Sequence, residues 1–590
     1  MGNPLVSDRN VEFVLYELLH ADELCRLPYF AGHGRETFDL LLASARKLAR
    51  EVLFPAFKPM DEHPPRLEQG QVRVHPAMRE IWPQMFELGL ASATRPAEVL
   101  GQQLPVTVGA MAAHYLMAAN AAAFGYLGLT EGAAHLIEAF GSAFLRSEVM
   151  PKMYAGEWSG TMALTEPHAG SSLADVKTRA RPGPEGTFLV DGNKVFISGG
   201  DHDLTANIVH LTLARIEGAP AGIKGVSLFA IPKKRLDGKD NDCSCAGVFH
   251  KMGWRGLPSI ALNFGERGDC RGWLVGDPGK GIAYMFQMMN TARLMVGLHG
   301  VSTASAAYYE AVEYAKTRPQ GRPLNSREAQ SPQIPIVEHA DVRRMLLEQK
   351  CIVEGGLALL AQCGWYSDLA AHAEGADERR RAQLLLDLLT PVAKTFPAER
   401  GFESNALAVQ VHGGYGYTSE YLPEAWLRDQ KLNTIHEGTS GIQSLDLLGR
   451  KVVAEGGAAL LALNEEIDAT LRRAARAGVE AAWIEAVRSA AAAVSEVTMH
   501  LAQVGLSGDK EGMLLHSSDY LELFSIAIVG WMWLAQAAAA REAKRDEPFY
   551  RGKLLAAQHW IRTELPRIPH LAALCREGED SYARLQPESL

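Results

Sequence analysis

The chain has 590 residues, 47% of them apolar, which allows three or four domains with substantial cores. A formal net charge of -10 argues against nucleic acid as the main partner. Seven scattered cysteines, with no HExxH motif, EF-hand loop or Cys/His cluster, point to reduced thiols in a cytoplasmic protein, without a disulfide framework or a metal.

Residues 1–7 lack a basic region followed by an apolar run, and Val6 breaks the myristoylation pattern, so neither an export signal nor that lipid anchor is expected. Residues 11–20 read as a short helix. Phe38, Leu41, Leu42, Ala45, Leu48, Ala49 and Val52 form one helical face, which Pro55 is expected to end. Residues 56–75 read as a loop. Helical patterns resume over 81–90, 106–140 and 142–154, and the small apolar residues of 117–129 suit tight packing.

Near residue 160 the period changes. Asp191-Gly192-Asn193, flanked by 188–190 and 195–198, is a hairpin signal, and 208–213, 226–231 and 259–264 are further strand candidates. From Ile282 the pattern is helical again. Met285, Met288 and Met289 lead in, a break falls at 317–335, and long helices are expected over 337–373 and 379–411. An alanine-rich helical region follows from about 455. Within it, 523–540 is uncharged and long enough to span a bilayer. Its Ser525, Gly530, Gln536 and four consecutive alanines mark it as a buried bundle helix, with reversible surface docking the weaker option. The order helical, β, helical, helical is not the alternation of a dinucleotide-binding α/β domain.

Four clusters and one carboxylate carry chemistry. Residues 161–172 combine a strand-like entry, a Pro/Gly turn and several hydroxyls that suit polar ring edges and phosphates. In 194–200, Phe196 and Ser198 fall on one strand face, an aromatic plane beside a hydroxyl. Arg318-Pro319-Gln320-Gly321-Arg322 places two guanidiniums around a glycine, a phosphate-recognition pattern. Gln410-Val411-His412-Gly413-Gly414-Tyr415-Gly416 lacks the GxGxxG register and follows no strand. In Asn433-Thr434-Ile435-His436-Glu437-Gly438-Thr439-Ser440, Glu437 stands just before a helix whose N-cap is Thr439 or Ser440. Free N–H groups and the helix dipole favour an ionised carboxylate there.

Together these motifs resemble the acyl-CoA dehydrogenase flavoprotein family, over roughly residues 35–450. The region after 455 is similar to the larger branch that includes methylthiopropionyl-CoA and fatty-acyl-CoA dehydrogenases. The resemblance implies a mainly α fold with an inserted β domain. Its parts are an N-terminal extension (1–34), a helical N-terminal domain (35–159), a β-barrel middle domain (160–282), a four-helix C-terminal bundle (283–452) and an appended helical domain (453–590). It also implies FAD-dependent α,β-dehydrogenation of an acyl-CoA thioester. Glu437 would act as base, and its N–H and the FAD ribityl 2′-hydroxyl would polarise the thioester.

By the same resemblance Leu164 and Thr165 would meet the flavin edge, Ser171 the pyrophosphate, and Phe196 and Ser198 the ring. Arg318, Gln320, Gln410, Gly413 and Gly414 would reach the FAD of a second subunit, and Thr439 would contact FAD beside the base. Arg293, His436 and Gly438 are implied at the substrate. His436 departs from the tyrosine of many members, and the flank of Arg293 departs from the common pattern. The implied partners are an electron-transfer flavoprotein and a second copy of the chain. An oxygen-using acyl-CoA oxidase and a non-catalytic DNA-binding relative are the alternatives.

Overall fold

The computed structural model describes residues 2–325 and 330–590. The side chains of residues 286–289 lie outside the description, and with them the expected apolar lead-in at Met288 and Met289. The chain clusters into two compact units. One contains Asp39–Leu104 and Tyr115–Ala292. The other contains Met1–Phe38, Pro105–His114 and Arg293–Leu590.

The 39–104 and 115–292 unit is built on ten strands: β1 (Arg66–Glu68), β2 (Gln71–Arg73), β3 (Trp158–Ala163), β4 (Arg179–Pro182), β5 (Phe188–Ser198), β6 (Asn207–Ile216), β7 (Val226–Pro232), β8 (Cys243–Val248), β9 (Ser259–Phe264) and β10 (Arg271–Val275). β1 and β2 form a hairpin, and the other eight form one sheet in the order β10-β7-β6-β4-β5-β9-β8, with β3 beside β6. A further pairing of β10 with β5 closes β10, β7, β6, β4 and β5 into a ring, which is the expected barrel. Alternate residues of the central strands feed two cores. Leu211, Leu213, Leu228 and Ala230 pack with Leu136, Ile137 and Met153 of the helical layer. Ala214, Phe229 and Ile231 pack with Val190, Ile260 and Phe264.

Three local expectations are corrected. Asp191-Gly192-Asn193 is no hairpin turn but the middle of β5, paired on one side with β4 and on the other with β9. A Cβ on Gly192 would stand 2.4 Å from Thr178 Oγ1, so glycine is needed there for close approach, not for a turn. Pro55 does not end a helix. Helical backbone runs on from Arg35–Leu48 through the π-helical Ala49–Leu53 into Phe54–Glu62, and Pro55 follows closely on the π turn that interrupts the regular hydrogen-bond ladder. The stretch 56–75 is therefore helix and hairpin rather than loop.

The other unit is helical. The Gly281–Thr317 helix from Arg293 onward, Ala340–His372 and Ala376–His412 are its long early helices, followed by Pro423–Lys431 and Ser440–Asp446. Ala458–Arg476, Ala481–Leu506, Ser517–Glu542, Pro548–Thr563 and Ile568–Glu577 are the longer helices of the appended region. Ser517–Glu542 has the length and hydropathy of a membrane span, yet its most apolar window is entirely buried among the other helices.

Candidate active site

Glu437 sits on a turn of two left-handed residues, with φ of 53° at Glu437 and 84° at Gly438. A glutamate in this region costs about 1–3 kcal/mol, strain that persists only where surrounding groups hold it. Thr439 then caps the Ser440–Asp446 helix, its hydroxyl accepting from Ile442 N–H at 3.3 Å. The N–H groups of Ile435 and His436 are spent on the carbonyl of Leu432. No intramolecular acceptor engages the N–H of Glu437 among the described residues, so it is free to bind a ligand oxygen.

The half-buried Glu437 carboxyl lies among charges of its own unit. Burial raises its pKa, while Arg293 and Lys394 pull it down. Arg293, 2% exposed, is ion-paired with Asp446 at 2.7 Å. Its head group is thus a buried neighbour of the base, with Nη1 on the Asp446 carboxylate and Nε without a partner among the described residues. Lys394 is fully buried, and its Nζ donates to the Gly438 carbonyl at 2.8 Å. Burial holds its pKa down to about 8, against the opposing pull of Glu399 and Glu437. His436 is held down to about 3 by burial, then by Lys394 and His299, so its imidazole is neutral at working pH. His299 is fixed in turn by Asn433 at 2.7 Å and Thr303 at 3.0 Å.

Arg318, Gln320, Gly413 and Gly414 line one recess of about 440 Å³, together with Tyr314, Ile336, His412 and Tyr415. Tyr314 and His412 stack at 4.2 Å, and the Arg318 guanidinium lies 5.8 Å from the centre of the Tyr415 ring. Gly413 has φ of 60°, and no atom lies within 4 Å of where a Cβ would stand on Gly413 or Gly414. Two bare backbone units and a guanidinium around an open recess fit a phosphate-bearing cofactor. Gln410 is exposed at the end of the Ala376–His412 helix and does not line the recess.

In the barrel-containing unit, the 164–171 turn is tied to β5. Val195 N–H donates to the Thr165 carbonyl at 2.9 Å. The buried Lys194 donates to the Leu164 carbonyl at 3.1 Å and to Glu166 at 2.8 Å. Glu166 also accepts from Lys177 N–H, Thr178 N–H and the Thr178 hydroxyl. Thr165 and Ser198 are half-buried and Ser171 is exposed. Phe196, with φ of 60° at a β-bulge, is 64% exposed, and its ring centre lies 4.7 Å from that of Phe249. A large, strained, exposed aromatic offers a free flat face.

Sequence reasoning missed Lys394, Glu166 and Lys194. Lys394 had a legible signal: a lone charge inside Leu388-Leu389-Thr390-Pro391-Val392-Ala393-Lys394-Thr395-Phe396, where a lysine is buried only with partners.

The fold and these motifs define an acyl-CoA dehydrogenase: the chain belongs to that family. The N-terminal, middle and C-terminal acyl-CoA dehydrogenase domain descriptions match residues 35–157, 161–266 and 279–452, and the acetyl-CoA dehydrogenase C-terminal-like description matches 463–586. The 3-methylmercaptopropionyl-CoA dehydrogenase of Ruegeria pomeroyi is 37% identical, over 93% of this chain and 94% of its own. A butyryl-CoA dehydrogenase of Syntrophomonas wolfei is 32% identical over 96% of both chains. The broad-specificity linear acyl-CoA dehydrogenase FadE5 of Mycobacterium tuberculosis is 32% identical over 95% of both. Among solved structures, Caenorhabditis elegans ACDH-11 in complex with C11-CoA superposes with a TM-score of 0.76 at 19% identity, covering 96% of this chain and 92% of that one. The FAD complex of a Bacillus anthracis acyl-CoA dehydrogenase gives 0.74 at 21%, covering 97% and 91%.

Proposed function

We propose that the chain binds FAD and dehydrogenates an unbranched acyl-CoA thioester to the 2-enoyl-CoA, with Glu437 as the base. The observation that carries this is the Glu437 turn, where carboxylate and free N–H come from one residue held beside two buried cations. FAD, when bound, supplies the acceptor for the β-hydride. The N–H of Glu437 donates to the thioester carbonyl and stabilises the negative charge that develops as the α-proton leaves. The Glu437 carboxylate takes that proton. An acyl chain that expels water from Glu437 raises its pKa further, towards the working range. Four relatives at 32–37% identity, named for 3-methylmercaptopropionyl, butyryl (two of them) and linear acyl groups, support an unbranched chain.

In this reading Thr165, Phe196 and Ser198 serve the flavin ring. Arg318, Gln320, Gly413 and Gly414 serve the phosphate and adenosine end of a cofactor held mainly by a second copy. The protein works as a dimer in the cytoplasm, which suits seven free cysteines, five of them buried. Electrons leave to an electron-transfer flavoprotein. Of the arginines that a DNA-binding role for the appended helices would use, Arg473 is paired with Glu542 and Arg541 with Glu480.

Glu437→Gln is the test. The variant should purify yellow and lose about 10²- to 10⁴-fold in turnover. Near-normal turnover would overturn the assignment. An anaerobic screen of acyl-CoA thioesters, read by flavin bleaching, should rank straight chains above branched ones. Rapid reoxidation of the bleached enzyme by oxygen would replace the electron-transfer partner with an oxidase reaction.

A further inference from the structure

The two left-handed residues of the catalytic turn are each held by a buried side chain with no part in the reaction as assigned. Lys394 Nζ donates to the carbonyl of Gly438 at 2.8 Å, and Gln443 Nε2 donates to the carbonyl of Glu437 at 2.9 Å. Both side chains are fully buried. The amide of Gln443 presses on the turn, because a Cβ on Gly438 would stand 2.8 Å from its Nε2. Its Oε1 has no partner among the described residues, so the amide is committed to this one donation.

The two clamps differ in charge. Gln443 is neutral, whereas Lys394 adds a cation that acts on the Glu437 carboxylate. The other cation there, Arg293, is already matched by Asp446 at 2.7 Å, which also receives Arg450 at 2.6 Å. Glu399 acts on Lys394 and accepts the Ser440 hydroxyl. His436 on the same turn, and His299 that acts on it, are both held low by burial, to about 3 and about 4.

We propose that Lys394 is a positioning residue for the base: it fixes the left-handed turn that aims Glu437 and sets a cation beside its carboxylate, while Gln443 fixes the same turn without charge. The inference rests on Glu437 being the base. Loss of the Lys394 cation destabilises the carboxylate, so a higher pH is needed to ionise it.

The test compares Lys394→Met, Lys394→Gln and Gln443→Leu in the full-length, flavin-loaded protein, reading kcat against pH. Both Lys394 variants should move the acid limb up by about one pH unit. Lys394→Met, which also loses the donor, should lower plateau kcat by about tenfold or more. Gln443→Leu should lower the plateau and leave the acid limb in place. If Lys394→Met fails to fold, Lys394→Gln decides on the limb alone. An acid limb unmoved in Lys394→Gln, or moved equally in Gln443→Leu, overturns the inference. Glu437→Gln separates the two readings: full turnover there removes the base itself, whereas an inactive Glu437→Gln with an unmoved Lys394→Gln limb removes only the role of Lys394.

Discussion

At the residue scale, His436 stands directly before the proposed base, Glu437. Its position beside the base suggests a second acid–base group, but its surroundings argue otherwise. Burial and the charges of Lys394 and His299 keep the ring neutral down to a pH of about 3. A histidine whose folded pKa lies below its unfolded value gains no charge over the range in which Glu437 ionises. It therefore acts through shape and hydrogen bonding. His436→Phe, which keeps a ring of similar size, should leave the acid limb of kcat against pH where it is in the parent enzyme. The loss should fall instead on KM, by a factor of about ten, the worth of one polar contact. Steady-state kinetics between pH 5 and 9 checks both. An acid limb that moves with this substitution would mean that the imidazole carries charge in the working enzyme. Phe196 makes a parallel case: its φ of 60° and its exposure are visible only in the structure, although its place in the Lys194–Gly200 motif was readable beforehand.

At the element scale, the chemistry depends on short irregular segments pinned to regular ones. The 164–171 turn hangs on β5 through the Lys194–Glu166 ion pair, with both side chains almost completely buried. Lys194 and the Thr178 and Lys177 donors hold the Glu166 carboxyl below the usual carboxylate range, against burial. With a depressed folded pKa, Glu166 contributes stability that is present above its unfolded value of about 4.3 and lost as pH falls through the folded one. Lys194→Met removes one partner and leaves a buried carboxylate, which should cost about 3 kcal/mol. A denaturation midpoint measures the loss, and flavin retention on gel filtration should fall with it. A stability equal to the parent's would show that the pair is only local decoration. This element also shows what a sequence reveals. The alternating strands and the Leu164–Ser171 motif were legible, because period and turn chemistry are local. The continuity of β5 through Asp191-Gly192-Asn193 was not, since the reason for Gly192 lies at Thr178 on another segment. The Glu166–Lys194 pair was hidden for the same reason: its partners stand 28 residues apart and meet only when the turn folds back on the strand.

At the scale of the whole molecule, the appended helices belong to the same compact unit as the bundle that carries Glu437. A buried polar knot ties them together. Lys553 reaches Glu354 at 2.7 Å, Gln536 at 2.7 Å and Asn10 at 2.5 Å, so one lysine joins the bundle, the appended region and the N-terminal extension. Burial holds Lys553 down to about 8, while Lys350 and Lys553 hold Glu354 down to about 2. The apolar run that reads as a bilayer span is the centre of this packing. Within it Trp533 donates its Nε1 proton to the Cys351 carbonyl at 3.1 Å, across to the Ala340–His372 helix. Close approach there depends on Gly355. A Cβ on Gly355 would stand 2.7 Å from Trp533 Nε1 and 2.8 Å from Val529 Cγ1, and an indole wedged in a close-packed interior has no room to retreat. Gly355→Ala should therefore push Trp533 off its acceptor and cost about 1–3 kcal/mol, despite the higher helix propensity of alanine. Gly552→Ala is the control on the neighbouring Pro548–Thr563 helix, since its Cβ would meet only Lys350 Cε at 3.6 Å. That variant should hold or gain about 0.5–1 kcal/mol. Urea melts of the two variants, followed by tryptophan fluorescence, decide the point. Equal stability of Gly355→Ala and Gly552→Ala would mean that the appended helices rest loosely on the bundle, whereas loss confined to Gly355→Ala makes that contact part of what holds the catalytic unit together.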